Sequence, residues 1–290
     1  MINRLVKNAV TVLIVLLGPI LQSCQTSERQ DFDKDWMTLF NGKDLKDWKI
    51  KITGHSLGDN FGDTFRVEDS LLKVSYDQYD DSLKGRWGHI FYKDKFSAYL
   101  LVAEYRFYGD QVADGQEWAF MNNGLMLHSQ SPESMAIDQD YPISLECQLL
   151  GSENSIQRPN GNICSPGTHI HMNGELITEH CINSTSKPSP GREWTTVQAL
   201  VLGDSIIKHI VGKDTVMTYE KPIIGGGVVN NFDPEAKPDG KALKEGYIAL
   251  QSESFPTAFR KVRLFNLEPY MDNPQQLKAA LKYLRKREKL

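Results

Sequence analysis

The sequence has no surplus of basic residues, since 33 Lys and Arg are set against 37 Asp and Glu, and the formal net charge is −4. The basic residues are scattered, except at the extreme C-terminus. A protein that binds a polyanion needs a concentrated positive surface. We therefore expect no nucleic-acid partner.

Long apolar runs are also scarce, and the exception lies at the N-terminus. "MINRLVKNAVTVLIVLLGPILQSC" places two basic residues before an apolar run that is short for a spanning helix, and it ends in Leu-Gln-Ser-Cys. This order is typical of a bacterial lipoprotein signal peptide. We expect residues 1–23 to be removed and Cys24 to carry a lipid, with an uncleaved anchor helix as the alternative. The prediction places the protein in the bacterial cell envelope, lipid-anchored at the outer membrane and facing the periplasm or the surface.

Cysteine is rare, and lipidation of Cys24 would leave three of the four cysteines. Cys147 lies in an apolar strand pattern, where a free cysteine behaves as a small hydrophobe. Cys164 and Cys181 flank a loop-rich segment, and an oxidising compartment favours a disulfide between them. The alternative is a metal site, although the spacings match no common zinc pattern. Its ligands would be Cys164, His169, His171, His180 and Cys181.

Helical periodicity is missing from most of the chain. Residues 24–35 are polar and are expected to form a flexible tether. From residue 36 onward, short alternating or apolar runs are separated by Gly, Asn, Asp and Pro. This pattern predicts an all-β domain over residues 36–270, an antiparallel β-sandwich or jelly roll. Residues 271–290 predict a basic helix, which we expect to be solvated and partly frayed, with contact to anionic lipid as the alternative.

Polar residues interrupt several of the predicted strands. In "ISLECQLLG" the alternation puts Glu146 and Gln148 on one face and the apolar residues on the other. Because Glu and Gln are poor strand formers, their presence inside an apolar strand favours a functional site. The same rule pairs other polar residues on three further strands: Glu104 with Arg106, His128 with Met126 and Gln130, and Gln251 with Glu253.

If these four polar faces lie on one concave sheet, they form a cleft that fits a carbohydrate. A half-exposed antiparallel strand also shows such alternation without any function, and Glu104 and Arg106 could simply form a surface ion pair. Four tryptophans also have two alternative roles: they could stack on sugar rings, or they could pack in the core. They are Trp48, Trp87, Trp118 and Trp194.

The chain resembles the 3-keto-disaccharide hydrolase domain family, which is common in Bacteroidetes lipoproteins. The resemblance runs from about Trp36 to Glu268. It rests most on the opening "WMTLFNGKDLKDWK" and the closing "EGYIALQSESFPTAFRKVRL", with "NNGLMLHSQSPESM" and "YPISLECQLLG" in order between them. His128 stands where many members have Arg, and "QSES" replaces the Asp-His-Gly of some relatives.

The resemblance implies a concanavalin-like jelly roll that cleaves glycosides whose C3 hydroxyl has been oxidised to a ketone. The ketone acidifies the C2 proton, so a base can start β-elimination of the C1 substituent, and added water completes a net hydrolysis. Such a site needs a base, an acid and a group that stabilises the enolate. We predict Glu146 as the base or a metal ligand, His128 as an acid or base, and the remaining polar residues as substrate ligands. These are Gln148, Arg106, Glu104, Gln251 and Glu253.

Two other classes of function share this scaffold. Ordinary endoglycanases carry paired carboxylates as Glu-x-Asp-x-Glu on one strand, whereas this strand reads Glu-Cys-Gln-Leu-Leu. A non-catalytic, lectin-like glycan-binding module is the other alternative. The sequence identifies no definite cofactor and leaves a divalent metal open, because carboxylate and imidazole groups would suit one.

Overall fold

A computed structural model describes residues 31–288, and within them the chain forms seventeen strands. The predicted signal peptide, the lipidation site Cys24 and residues 25–30 of the predicted tether lie outside the described residues. The first nine strands are β1 (Trp36–Thr38), β2 (Trp48–Ile52), β3 (Phe65–Glu68), β4 (Leu71–Val74), β5 (Gly88–Phe96), β6 (Ala98–Phe107), β7 (Asn122–Ser129), β8 (Leu145–Leu150) and β9 (Ile163–Cys164).

The remaining strands lie in the second half of the chain, which ends in a helix. They are β10 (Thr168–Met172), β11 (Glu175–Ile177), β12 (Cys181–Ile182), β13 (Thr195–Leu202), β14 (Ile206–Val211), β15 (Asp214–Ile224), β16 (Gly246–Ser252) and β17 (Thr257–Asn266). The helix is α1 (Pro274–Glu288). Short 3₁₀ turns cover Phe32–Asp35, Phe61–Asp63, Glu117–Ala119, Pro132–Ser134, Pro234–Ala236 and Glu268–Tyr270.

The strands form two antiparallel sheets that pack face to face. The larger sheet has the order β11-β10-β15-β14-β13-β6-β17-β4-β3, with β1 also paired to β17. The smaller sheet has the order β12-β9-β8-β7-β16-β5-β2. Strands that are neighbours in the chain often belong to different sheets, as β6 and β7 do. The predicted all-β jelly-roll sandwich is confirmed.

Alternating side chains build the core between the sheets. On β6 of the larger sheet, Tyr99 and Leu101 face inward, and on β8 of the smaller sheet Leu145 and Leu149 face them. Cys147 is a free, fully buried cysteine in the same layer. Each fully buried large apolar side chain contributes about 1.5–3 kcal/mol. The pleat therefore forces residues 146 and 148 onto the outer face of the smaller sheet.

The outer face of the larger sheet is covered by helix α1. Leu284 and Ala280 are fully buried against β6 and β17, so the helix packs on the domain and is not solvated as expected. The turn Phe32–Asp35, at the end of the predicted tether, packs there as well: the ring of Phe32 lies 5.2 Å from that of Tyr283. Within residues 31–288, no helix has the length and apolar character needed to cross a membrane.

The disulfide predicted between Cys164 and Cys181 is present. It joins β9 and β12 at the edge of the smaller sheet, where the two cysteines are direct cross-strand partners. Cys164 is also the register partner of Glu146 on β8. The disulfide therefore fixes the edge of the sheet next to this carboxylate.

Candidate active site

A cavity of about 460 Å³ opens on the outer face of the smaller sheet. Its volume lies in the range of about 300–1,000 Å³ that is typical of small-molecule sites. Strand β8 supplies Glu146 and Gln148, and Glu253 follows directly after β16. Asn122, the first residue of β7, and the loop residues Tyr141 and Arg158 supply other polar walls. The cavity brings together three of the seven site residues predicted from the sequence.

The carboxylate of Glu146 lies over a position that has no side chain. Gly124 on β7 is opposite Gln148, and a Cβ at Gly124 would lie 2.5 Å from Glu146 Oε1 and 2.7 Å from its Cγ. Since real Cβ atoms do not approach other atoms so closely, any larger residue at this position would displace the carboxylate. The Glu146 side chain is 6% exposed, and its Oε1 atom has no hydrogen-bond partner.

Glu253 is the second buried carboxylate, and it has polar neighbours that Glu146 lacks. Burial raises the pKa of Glu253 to about 8, against the lowering effects of hydrogen bonding from the Tyr141 hydroxyl and the positive charge of Arg158. Arg158 is held in place by backbone carbonyls, because its Nη1 atom donates to Trp118 O at 3.0 Å. Burial, together with the nearby charges of Glu253 and Glu146, raises the pKa of Tyr141, so the tyrosine keeps its proton.

The two carboxylates interact with each other. Burial raises the pKa of Glu146 well above its ordinary value, and repulsion from Glu253 raises it further. Two carboxylates in one low-dielectric site cannot both ionise easily, so the pair retains a proton at neutral pH. Because Arg158 and the Tyr141 hydroxyl lower the pKa of Glu253 and no neighbour lowers that of Glu146, Glu253 is the first of the pair to ionise as the pH rises. Such a pair can act as one base and one acid.

Amide groups surround the carboxylate pair. Asn162 Nδ2 donates to Gln148 Oε1 at 3.2 Å, which leaves the N–H donors of the Gln148 amide for a ligand. Gln251 is fully buried next to His89, its register partner on β5, and neither polar atom of its side chain has a partner. Burial lowers the pKa of His89 to about 3, so its ring is neutral. Gln251, a predicted substrate ligand, and His89 therefore do not line the cavity.

Glu104 and Arg106 do not reach this cavity, which corrects the expectation of one shared polar face. Both lie on β6, which belongs to the larger sheet. Glu104 forms ion pairs with Arg260 at 2.6 Å and with Lys261, and the Arg106 guanidinium lies 4.7 Å from the Trp194 ring. Alternation predicts the face of a strand but not the sheet that the strand joins.

His128 also lies away from Glu146, for a local reason. A β-bulge on β7 gives His128 a positive φ of 48° and breaks the alternation that would have placed it beside Met126. Its Nε2 atom donates to Gly203 O at 3.2 Å, in the turn between β13 and β14 of the other sheet. Burial lowers the pKa of His128. The structure therefore gives this histidine no contact with the carboxylate pair.

The sequence reasoning missed the loop residues of the site. Tyr141 and Arg158 lie in irregular segments, where no periodic pattern marks a face, and Asn122 is the first residue of β7, on the same face as Gly124. The one available signal was in "GHIFYKDKF", where alternation places His89 on the same face as Phe91, opposite the core residues Ile90 and Tyr92. This face is continuous with the floor of the cavity.

Two groups in or beside the cavity could be considered as metal ligands. Among the described residues, Cys164, His180 and Cys181 come within 4.8 Å of one another, but the disulfide occupies both thiols. This group therefore does not fit a soft metal ion. Glu146 and Glu253 fit a hard divalent cation better, because Glu146 Oε1 and Glu253 Oε2 are buried without partners.

The fold and this cavity define a class, a jelly-roll sandwich with a buried pair of carboxyl groups in a cavity on the outer face of one sheet. The family model of the 3-keto-alpha-glucoside-1,2-lyase-like domain matches residues 35–264. The chain belongs to this carbohydrate-active family, as the motifs at its two ends predicted. A search of curated protein sequences gives no match.

Several solved structures are similar in outline. A candidate glycosyl hydrolase from Parabacteroides distasonis ATCC 8503 is 17% identical, with a TM-score of 0.49 over 81% of this chain and 95% of that one. The beta-glucanase of Bacillus licheniformis is 10% identical, with a TM-score of 0.43 over 80% and 97%. The carbohydrate-binding module CBM66 from Bacillus subtilis is 11% identical, with a TM-score of 0.37 over 61% and 81%.

Proposed function

We propose that this protein cleaves 3-keto-glycosides by base-initiated β-elimination followed by hydration. The observation that carries the proposal is the buried pair Glu146 and Glu253, two interacting carboxyl groups with raised pKa values in a cavity of about 460 Å³. Membership of the 3-keto-alpha-glucoside-1,2-lyase-like family supports the choice of substrate. An ordinary glycoside hydrolase and a non-catalytic glycan-binding protein are the outcomes that the experiment below must separate from it.

The reaction balances with one base and one acid. The base takes the C2 proton, and the electron pair of that C–H bond forms an enolate with the C3 ketone. The enolate collapses, the C1–O bond breaks, and the acid protonates the departing oxygen. Water then adds at C1 and a proton returns to C2, so the net change is hydrolysis. Matched acid and base groups contribute about 10²–10⁴-fold to such steps.

The surroundings of the pair assign these two roles. Burial raises the pKa of Glu253 to about 8, but Arg158 and Tyr141 lower it and do not lower that of Glu146, so Glu253 ionises first and its carboxylate is the base in this proposal. Glu146 holds the proton and donates it to the leaving oxygen. This reverses the role that the sequence suggested for Glu146 and adds a role for Glu253. The neutral carboxylic acid is maintained by burial, as in other enzymes that need an acid at neutral pH.

Amide donors complete the site. The free N–H groups of Gln148 are the candidates for binding the enolate oxygen, and the Asn122 Oδ1 atom, which has no partner, can accept from a sugar hydroxyl. In a dry cavity, prearranged donors of this kind stabilise developing charge strongly. If a divalent cation binds, Glu146 and Glu253 would hold it, and it would supply Lewis-acid stabilisation of the enolate.

The proposal is tested by release of the aglycone from 3-keto-glucosides and from their unoxidised parents. Wild type is expected to act on the keto substrates alone. Glu253→Gln is expected to lose activity on every substrate by at least about 100-fold, since the base is gone. Glu146→Gln is expected to lose activity on a methyl or glucosyl leaving group but to retain most of it on 4-nitrophenol, which leaves without protonation.

The other outcomes have clear meanings. Equal turnover of the unoxidised parent would indicate an ordinary glycosidase, and sugar binding without turnover would indicate a binding module. Loss of activity on the 4-nitrophenyl substrate in Glu146→Gln but not in Glu253→Gln would reverse the assigned roles.

A further measurement with a chelator, followed by re-addition of Mg²⁺, Ca²⁺ or Mn²⁺, tests separately whether a divalent cation is needed. Glu117→Gln, which changes an exposed carboxylate, is the matched control.

A further inference from the structure

The cavity is polar at its floor and apolar at its entrance, which we call the mouth. Trp118 is 50% exposed and Val228 is 47% exposed, and both line the same cavity as the buried carboxylates. Among the described residues, six large apolar side chains are exposed, and these are two of them. Glu146 and Glu253, by contrast, are 6% and 3% exposed. Reacting groups therefore lie inside, and apolar surface lies at the entrance.

Trp118 is held rigidly despite its exposure. Its ring packs against Trp87 with centroids 5.6 Å apart, and Trp87 stacks on Tyr141 at 5.9 Å. Its carbonyl accepts the 3.0 Å hydrogen bond from Arg158. A tryptophan that is fixed by its neighbours loses little conformational entropy on binding a ligand, and its ring offers a flat apolar surface. The indole is thus prepared for stacking.

Val228 adds an independent sign of function. It has a φ of 61°, a conformation that a β-branched residue adopts only against a steric cost of about 1–3 kcal/mol. The loop is held from both sides, because Gly167 donates to Gly227 O at 2.9 Å and Asn230 donates to Asp140 at 2.8 Å. Backbone strain of this kind concentrates at ligand sites. Here it presents an apolar side chain to the cavity mouth.

We propose that the mouth is a subsite for the leaving group, and that this group is a ring with an apolar face. The ring stacks on Trp118 and contacts Val228 while the keto-sugar occupies the floor beside Glu146 and Glu253. The inference rests on the proposed function for the identity of the reacting sugar. Beyond the disaccharide that the family already implies, it assigns the binding and selection of the leaving ring to Trp118 and Val228.

The test compares three 3-keto-glucosides, with methyl, glucosyl and phenyl as the leaving groups. The proteins are wild type, Trp118→Ala, Trp118→Phe and the control Leu176→Ala, whose side chain is also 50% exposed but lies on β11 of the other sheet. For Trp118→Ala we expect kcat/KM to fall about tenfold more for the two ring substrates than for the methyl substrate, mostly through KM. Trp118→Phe should restore most of the loss, and Leu176→Ala should match wild type.

Equal losses on all three substrates, or no loss at all, would overturn the subsite. A different loss of kcat/KM for the glucosyl and the phenyl substrate would show whether the subsite prefers a sugar or an aromatic ring. If wild type fails to cleave any keto substrate, the proposed function fails, and the subsite is tested by calorimetric binding of the unoxidised disaccharide. Weaker binding to Trp118→Ala than to Leu176→Ala would then support the subsite, and equal binding would reject it.

Discussion

At the scale of single residues, the position of Glu146 depends on a side chain that is missing. Gly124 gives the carboxylate room over strand β7, and a Cβ there would meet Oε1 at 2.5 Å. We expect Gly124→Ala to lower kcat/KM about 100-fold, since a displacement of about 1 Å is enough for such a loss. Steady-state kinetics on a 3-keto-disaccharide measures this, and thermal unfolding measures the accompanying cost of overpacking, about 1–3 kcal/mol.

Gly227→Ala is the control for this substitution. Gly227 does not adopt a positive φ, and a Cβ added to it would meet no atom within 4 Å. Its neighbour Val228 lines the same cavity, so the control lies close to the site. Gly227→Ala should retain wild-type kinetics and stability. Full activity of Gly124→Ala would contradict the placement of the Glu146 carboxylate over this glycine.

Residue identities in the site were only partly predictable from the sequence. Glu146 and Gln148 could be found because a carboxylate and an amide stand out inside an apolar strand. Tyr141 and Arg158 could not, because their role depends on which loops meet above the sheet. His128 was assigned to the wrong face, since a single positive φ at a bulge shifts a side chain and leaves no mark in the alternation.

At the scale of elements, helix α1 is part of the domain. Leu284 is fully buried against the larger sheet, and Arg263 forms an ion pair with Glu288 at 2.7 Å near the helix end. We expect Leu284→Ala to lower the free energy of unfolding by about 2–5 kcal/mol, as for other buried leucines. Chemical denaturation measures it.

The neighbouring residue Lys286 is exposed and provides the control. Lys286→Ala should change the free energy of unfolding by less than about 0.5 kcal/mol. If Leu284→Ala and Lys286→Ala were equally harmless, the helix would not pack on the sheet in solution.

Elements were predicted better than their arrangement. The alternation in "YLLVAEYRF" and "ISLECQLLG" indicates the strands β6 and β8 and their buried faces. It does not indicate that the chain crosses from the larger sheet to the smaller one between β6 and β7. Glu104 and Arg106 were therefore expected beside Glu146, although the whole core separates the two outer faces. The choice of sheet depends on long-range packing, which a local pattern does not contain.

At the scale of the whole molecule, the carboxylate pair couples function to stability. Burial raises the pKa values of Glu146 and Glu253 in the folded state above the ordinary value of 4.5. The folded state therefore binds more protons than the unfolded state above that pH. The two protonated carboxyl groups contribute fully to the free energy of unfolding below pH 4.5. This contribution is lost as the pH rises from there through the raised pKa values of the folded state, at up to about 1.4 kcal/mol per pH unit for each group.

We expect Glu253→Gln to be more stable than wild type at neutral and alkaline pH and to show a shallower decline. The neutral amide removes one of the two groups whose ionisation opposes folding. Chemical denaturation at several pH values between about 5 and 9 measures the difference, with Glu117→Gln as the exposed control. A variant that follows the wild-type pH profile would show that Glu253 is not a destabilising, buried carboxylate.

The most direct test of the central claim, base-initiated elimination, is exchange at C2. A 3-keto-disaccharide is incubated in D₂O, and unreacted substrate and early product are examined for deuterium at C2 by NMR, with an enzyme-free sample as the blank. The account predicts deuterium in the wild-type product above the blank, none above the blank with Glu253→Gln, and exchange without efficient release with Glu146→Gln. Release of the sugar by wild type with no enzyme-dependent deuterium at C2 would contradict it.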